Sequence, residues 1–177
     1  MNQNNNKLKT LIVPIIILAY FGLFFLILAG FKIYWSYYFE PSNQPIAFSH
    51  RIHVLKMPLP CDQCHIYFSK SISAGIPTVQ ICIDCHEAIS TDKPEIKKLL
   101  KYWREKTPIP WIRIHSLPDF VYFSHKRHIL KGIDCSVCHG DIKAMDSARK
   151  VRSLQMGWCV TCHKSYSAPI DCSTCHK

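Results

Sequence analysis

The longest run of apolar residues lies near the N-terminus of the chain. The 21 residues Leu11–Phe31 carry no charge, and a helix of that length, rising about 1.5 Å per residue, crosses a bilayer core of about 30 Å. Pro14 would lie in its first turn, where proline is tolerated. Lys32 and an aromatic cluster typical of a membrane interface follow: Tyr34, Trp35, Tyr37, Tyr38 and Phe39. The pattern predicts a transmembrane helix over residues 11–31, after a polar segment over residues 1–10.

A cleaved signal peptide is the alternative interpretation of this run. Its apolar part would span about 7–15 residues and end at a small-residue cleavage site, and neither feature is present. We therefore expect an uncleaved, single-pass anchor. Lys7 and Lys9 predict a cytoplasmic N-terminus by the positive-inside rule, which would place residues 46–177 outside the cytoplasm.

After an interfacial aromatic segment and linker, residues 32–45, periodic hydrophobicity is sparse. One stripe at helical spacing stands out: Ile96, Leu99, Leu100 and Trp103. Asp92 is its predicted N-cap, with Glu95 three residues on. We expect this stripe to pack inside the domain, and a surface for a partner protein is the alternative. The proline-rich segment Pro110–Phe120 predicts an extended strap.

Cysteine occurs only in the pattern Cys-x-x-Cys-His, and five copies use all ten cysteines. This is the attachment signature of c-type haem, in which two thiols add to the porphyrin vinyl groups and the adjacent histidine binds the iron. The predicted haem-bonded cysteines are Cys61, Cys64, Cys82, Cys85, Cys135, Cys138, Cys159, Cys162, Cys172 and Cys175, and the predicted proximal iron ligands are His65, His86, His139, His163 and His176. Five covalently bound c-type haems are therefore expected.

Zinc sites, thioredoxin-like redox motifs and disulfide frameworks also use paired cysteines. None of them requires a histidine directly after the second cysteine. A zinc protein would also leave five further histidines without a role: His50, His53, His115, His125 and His128. Covalent haem attachment on the extracytoplasmic side is typical of bacteria, so the predicted location is the periplasmic side of a bacterial inner membrane.

The five further histidines equal the predicted haems in number, and four of them form His-x-x-His pairs ahead of a motif. We predict that all five are distal iron ligands, so that each iron is low-spin with two imidazoles. Such irons pass electrons and have no open position for a substrate. The isolated chain is therefore not expected to be an enzyme. Replacement of one histidine by Met57, Met145 or Met156 is the alternative, and it would raise the potential of that haem.

The phrase Phe-Ser-His-x-x-His begins at Phe48 and again at Phe123, 75 residues later, each time ahead of two haem motifs. This is an internal duplication of a two-haem module. Cys172 follows His163 by nine positions, which keeps the fourth and fifth haems close. The predicted pentahaem domain, residues 46–177, comprises modules 46–91 and 121–164, a connecting helix and strap 92–120, and a C-terminal segment 165–177.

The formal net charge of +10 would in another sequence suggest nucleic acid or an acidic membrane surface. Five haems carry two propionates each, and these offset the basic side chains. No basic stripe interleaved with aromatic residues is present. We expect no nucleic-acid partner.

The order Phe-x-His-x-x-His followed by Cys-x-x-Cys-His resembles small multihaem cytochromes c of the class III type. The predicted fold is therefore class III-like: mostly short helices and loops wrapped around five haems, almost no sheet, and one N-terminal transmembrane helix. The resemblance implies that each pair's first histidine serves the next haem and the second serves one further along. The implied pairs are His50 with His65, His53 with His86, His125 with His139, and His128 with His163, which leaves His115 for His176.

Longer phrases, FSHRIH, PIPWIRIHSLPDFVYFSHKRH, MGWCVTCH and DCSTCH, resemble the pentahaem cytochrome subunit, ActA type, of bacterial alternative complex III. That complex is a quinol:acceptor oxidoreductase of respiratory chains. The resemblance implies periplasmic electron relay from an iron-sulfur subunit and integral membrane subunits that handle the quinol. The acceptor lies downstream, a further cytochrome c being one such partner, and no small-molecule substrate is expected at this chain.

A membrane-anchored quinol dehydrogenase of the NapC/NrfH type is the alternative function. That family carries methionine two residues after the histidine of its first motif, where this chain has Tyr67. A multihaem enzyme that reduces nitrite or a similar substrate is a third class. It needs one iron with a single imidazole, and the count of ten histidines argues against it.

Overall fold

The computed structural model describes residues 3–39 and 43–176. Residues 1, 2, 40–42 and 177, which include parts of the predicted polar segment and linker, lie outside the described residues. The chain divides into two compact units, residues 1–40 and residues 41–177.

The first unit is one long helix, α1, Gln3–Phe39. It begins before the predicted start at Leu11, so Pro14 lies inside the helix and removes one of its backbone hydrogen bonds. It also runs past Phe31, because the residues that follow include no proline or glycine to end it. The helix over Ile12–Phe39 includes an 18-residue window with a mean hydropathy of 2.8, none of it buried, and it is long and apolar enough to cross a membrane.

Aromatic side chains gather at the C-terminal end of α1. Ring centroids lie 6.0 Å apart for Phe31 and Trp35, 4.6 Å for Trp35 and Phe39, and 4.7 Å for Tyr34 and Tyr38. Each pair is spaced by four residues, so its members share one face of the helix. Tyrosine and tryptophan are enriched at membrane-water interfaces, and their position at one end of the apolar stretch agrees with an interfacial segment.

The second unit consists of short helices joined by irregular segments. Its elements are a π-helix Arg51–Lys56, α2 Cys61–Cys64, α3 Val79–His86, α4 Pro94–Arg104, α5 His125–Leu130, α6 Cys135–His139, a 3-10 helix Ile142–Ala144, α7 Met156–Ser165 and α8 Cys172–Cys175. No strand occurs within residues 3–39 and 43–176, and one isolated antiparallel bridge joins Val121 and His176. The prediction of a helical fold with almost no sheet is confirmed.

The apolar core of the second unit is small. In the described part of the chain the buried hydrophobic side chains are those of Ile46, Ile83, Leu99 and Ile109. The predicted stripe of α4 packs on α3, with Leu99 buried and Ile96 and Leu100 against the same cluster. Trp103 remains 38% exposed. The stripe is therefore an internal packing face for the helix that carries the second haem motif.

The predicted N-cap of α4 is wrong. The cap residue is Lys93, which makes no side-chain cap hydrogen bond, and the Asp92 carboxylate lies 3.6 Å from Lys93 Nζ instead. Pro94 begins the helix and has no N–H group to be capped. The Glu95 carboxylate accepts a hydrogen bond from the backbone N–H of Ala47 at 2.7 Å. Glu95 therefore ties α4 to the segment that precedes the first His-x-x-His pair.

The predicted strap has no helix over residues 107–120. The Ile112 N–H donates to Gln44 Oε1 and Gln44 Nε2 donates to the Ile112 carbonyl, both at 2.9 Å. Trp111 packs against the core cluster. One side-chain amide thus satisfies both backbone groups of a residue that no regular element would satisfy, and it holds the strap in place just ahead of His115.

Polar contacts join the first His-x-x-His pair to the segment after the third motif. Ser49 Oγ donates to Asp146 Oδ1 at 2.8 Å. The Arg51 guanidinium donates to the Ala144 carbonyl at 3.0 and 2.8 Å and lies 3.3 Å from the Asp146 carboxylate. The two predicted modules are therefore packed together as one unit.

Gly140, directly after the third motif, has backbone angles that only glycine adopts readily. Its φ is 66° and its ψ −165°, and an added Cβ would lie 2.9 Å from Val151 Cγ2. We expect Gly140→Ala to lower the free energy of unfolding by about 1–3 kcal/mol, measured by thermal melting of the haem-loaded protein. Gly132→Ala is the matched control, because Gly132 also has a positive φ of 74° but has nothing within 4 Å. A loss no larger than that of the control would contradict the clash.

Candidate haem centres

Each Cys-x-x-Cys-His motif forms a helical turn. The motif histidine's N–H bonds to the carbonyl of the first cysteine at 2.9 Å in the first and fifth motifs, between His65 and Cys61 and between His176 and Cys172. Residues three apart lie on the same face of such a turn. The two thiols of a motif therefore face one way, as attachment to two vinyl groups of one porphyrin requires.

All ten cysteines are free thiols, so the structure contains no disulfide framework. A zinc site needs three or four protein ligands, and within the described residues no three His, Cys, Asp or Glu side chains converge on one point. A porphyrin supplies four nitrogen ligands itself, so two imidazoles complete its iron. The donor set of this chain therefore fits haem.

The structure brings histidines together in four facing pairs. Ring centroids lie 6.5 Å apart for His50 and His65, 6.0 Å for His53 and His86, 6.4 Å for His125 and His139, and 6.1 Å for His128 and His163. Imidazole nitrogens bind metals at about 2 Å, so two rings on opposite sides of one iron have centroids roughly 6 Å apart. These four pairs are the ones that the class III resemblance implies.

The two modules build their first pairs alike. The rings of His50 and His65 are 7° from parallel, and those of His125 and His139 are 8° from parallel. In both modules the phenylalanine that begins the phrase stacks on its second histidine. The ring centroids lie 4.4 Å apart for Phe48 and His53, and 4.5 Å apart for Phe123 and His128. The repeated sequence therefore produces a repeated site, although the second histidine lies in a π-helix in the first module and in α5 in the second.

Most of the ten histidines turn Nδ1 toward a backbone carbonyl. The proximal contacts are His65 with Gly75 at 3.0 Å, His86 with Ile89 at 3.1 Å, His163 with Pro169 at 2.6 Å and His176 with Phe120 at 3.3 Å. The distal contacts are His53 with Ser49 at 2.8 Å, His125 with Ile72 at 3.1 Å and His128 with Ser124 at 2.8 Å. A carbonyl acceptor fixes the proton on Nδ1 and leaves the Nε2 lone pair for a metal. Sequence reasoning missed these partners, because every residue carries a carbonyl.

Three histidines depart from that pattern: His50, His115 and His139. Nδ1 of His50 is buried without a hydrogen-bond partner. His115 lies against His139, with ring centroids 4.5 Å apart and planes at 85°. The pairing of His115 with His176 is not found: the ring of His176 lies 5.7 Å from that of Phe120.

Burial keeps several of these imidazoles neutral. The pKa of His50 is lowered to about 4, by burial and then by the charges of His65 and His53. Burial likewise lowers the pKa of His139, with a further effect from His125. Neutral imidazole is the form that binds metal. Burial therefore favours the protonation state in which these side chains can act as ligands.

The first motif has both the second and the third motif as neighbours. Burial and then the thiol of Cys85 raise the pKa of Cys64, which links the first and second motifs. Burial and then the thiol of Cys61 raise the pKa of Cys135, which links the first and third. The first motif therefore lies close to both the second and the third.

The third, fourth and fifth motifs continue in chain order. Burial and then the thiol of Cys162 raise the pKa of Cys138, and burial and then the thiol of Cys175 raise the pKa of Cys159. The closeness of the last two motifs agrees with their short separation in sequence. The neighbouring pairs of motifs are thus the second and first, the first and third, the third and fourth, and the fourth and fifth.

Comparisons with known proteins agree with this geometry. Residues 121–177 match the family model described as cytochrome c7 and related cytochrome c. The chain is also 27% identical over 166 residues to a protein named menaquinone reductase, multihaem cytochrome c subunit, from Nitratidesulfovibrio vulgaris (strain Hildenborough), covering 78% of this chain and 79% of that protein. Both findings support a multihaem cytochrome c with covalently bound haem.

Proposed function

We propose that this chain is a membrane-anchored pentahaem cytochrome c that relays electrons within a quinone-linked respiratory complex. The primary candidate is the quinol:acceptor oxidoreductase of the alternative complex III type. Electrons would pass from quinol-handling and iron-sulfur subunits through this chain to a downstream acceptor. The haem iron, when bound, cycles between ferrous and ferric forms by one electron.

The observation that carries this proposal is the set of four facing imidazole pairs. Each pair has a centroid separation of 6.0 to 6.5 Å, which leaves room for one iron and no position for a substrate. Carbonyl contacts orient the rings, and burial keeps several of them neutral. At these four motifs the features suit irons that are held in fixed ligand fields and do no bond chemistry.

The neighbour relations among the motifs support a relay with two ends. The second and fifth motifs each have one neighbour among these pairs, so partner redox centres would come nearest to them. Motifs one, three and four would connect the ends. The thiols and histidines of these motifs serve as attachment points and ligands throughout, with Cys61 and Cys135 at the junction of the two modules.

The long helix α1 supports a membrane anchor for this relay. Its apolar stretch Ile12–Phe39 is long enough to span a bilayer, and interfacial rings lie at its C-terminal end. Lys7 and Lys9 favour a cytoplasmic N-terminus. The haem domain would then face the periplasm, where a quinol-handling membrane subunit and a soluble acceptor both have access.

Purification of the full-length chain from native membranes tests the proposal. We expect a tagged chain to bring along integral membrane subunits and an iron-sulfur subunit, and its haems to be reduced by a menaquinol analogue only while those subunits are present. A membrane bait carrying the same tag is the control. Fast reduction of the isolated chain would instead support the NapC/NrfH type. Recovery of the chain without partners would contradict the proposal.

A second candidate runs the same relay in the opposite direction, toward menaquinone. It is favoured by the similarity to the menaquinone reductase subunit, which extends over 78% of this chain. The purified complex distinguishes the two candidates. Net reduction of a menaquinone analogue by a pre-reduced periplasmic cytochrome supports the second, and net reduction of the cytochrome by menaquinol supports the first.

A further inference from the structure

In the third haem motif, Nδ1 of the proximal histidine faces an imidazole, whereas in the other four motifs it faces a backbone carbonyl. Nδ1 of His139 lies 3.4 Å from Nε2 of His115. The proximal histidines of the other motifs direct Nδ1 to backbone carbonyl oxygens at 2.6 to 3.3 Å. A neutral imidazole nitrogen without a proton accepts a hydrogen bond as a carbonyl does. His115 thus occupies the place of the orienting acceptor.

The geometry of His115 does not suit an axial ligand. Its centroid lies 4.5 Å from that of His139 and the ring planes are nearly perpendicular, at 85°, so an iron does not fit between them. The ring that faces His139 at a suitable distance of 6.4 Å is that of His125. Because Nε2 of His115 is directed at His139, it is not directed at an iron elsewhere.

The fifth motif has a different neighbour. His176 directs Nδ1 to the Phe120 carbonyl at 3.3 Å, its ring lies 5.7 Å from the Phe120 ring, and its backbone bridges to Val121. Within the described residues, four motif histidines face a second imidazole at a centroid distance of about 6 Å, and they are His65, His86, His139 and His163. His176 is not among them. The strap carries His115 toward the third motif instead.

We propose that His115 is a positioning residue for His139 and is not the axial ligand opposite His176. Its Nε2 accepts the proton of His139 Nδ1 in a hydrogen bond and thereby fixes the ring orientation in which His139 Nε2 faces His125. Such an acceptor makes the imidazole a stronger electron donor to a metal, which favours the oxidised state of that metal. This inference rests on the proposed function, in that the third motif holds a haem.

The test compares His115→Ala and His115→Gln in the full-length, haem-loaded protein. Haem per chain is counted by pyridine haemochrome, high-spin haem by electron paramagnetic resonance and carbon monoxide binding, and midpoint potentials by redox titration. In His115→Ala we expect five haems, no gain in carbon monoxide binding over wild type, and a shift of one potential to a higher value. In His115→Gln the amide oxygen supplies an acceptor, and we expect the shift to be reversed.

His50→Ala is the matched control, because it removes a ring from a facing pair at axial spacing. It should add one high-spin, carbon monoxide-binding haem per chain. The same gain in His115→Ala would show that His115 is an axial ligand and overturn the inference, as would five unchanged potentials. Fewer than five haems in the wild-type chain would refute the pentahaem function. Five haems that neither menaquinol nor a periplasmic donor reduces in the purified complex would refute the relay while leaving the readouts on His115 valid.

Discussion

We expect the haem-free form of this protein to show no cooperative thermal unfolding of residues 43–176. Few side chains are buried there, and among the described residues the buried hydrophobic ones are Ile46, Ile83, Leu99 and Ile109. Ordering one residue costs about 1–2 kcal/mol of conformational entropy, which four side chains do not offset over this length. The porphyrin faces therefore supply most of the apolar surface around which the short helices pack.

A full-length variant with all ten cysteines replaced by serine tests this result in detergent. Near-ultraviolet circular dichroism and hydrogen exchange should show no fixed packing and no protected amides in residues 43–176. Helix α1 is the internal control, since its hydrogen bonds lie within the helix and its apolar side chains are solvated by detergent. A cooperative melt and protected amides in α3 and α4, which contain the core residues Ile83 and Leu99, would contradict the expectation.

We expect His50→Ala to convert one of the five proposed haems from low-spin to high-spin. The rings of His50 and His65 are 6.5 Å apart and 7° from parallel, so removal of one leaves a single imidazole at that iron. Electron paramagnetic resonance and carbon monoxide binding of the reduced protein measure the change.

The duplication supplies a second test of the same result. His125→Ala should have the same effect at the third motif, because His125 and His139 repeat this geometry at 6.4 Å and 8°. Ile52→Ala, at an exposed position of the same turn as His50, is the control and should leave all spectra unchanged. Spectra of both histidine variants that match wild type would mean that these imidazoles do not bind iron.

Local chemistry explains how much of this molecule could be predicted from the sequence. A Cys-x-x-Cys-His motif places two thiols and an imidazole on one turn, whatever surrounds it. The repeated phrase that begins at Phe48 and Phe123 specifies the stacking of phenylalanine on histidine within six residues. The anchor is likewise local, because a helix in lipid satisfies its own backbone and needs only apolar side chains.

Local rules failed where a distant group competed for a side chain. Glu95 was expected in a capping box, yet its carboxylate bonds to Ala47, 48 residues away. The strap was correctly expected to be irregular, but the contact of its histidine, His115, with His139 was not predicted. A segment without regular hydrogen bonds follows its tertiary contacts, and here the amide of Gln44 holds Ile112.

The sequence by itself determined the five attachment motifs, the ten histidines, the two modules and the apolar helix, because each depends on residues close together in the chain. Only the tertiary structure decided that His115 meets His139, that the first motif is close to both the second and the third, and that Ser49 bonds to Asp146 across 97 positions. These features are contacts between segments whose relative positions are set by packing. No local spacing encodes such contacts.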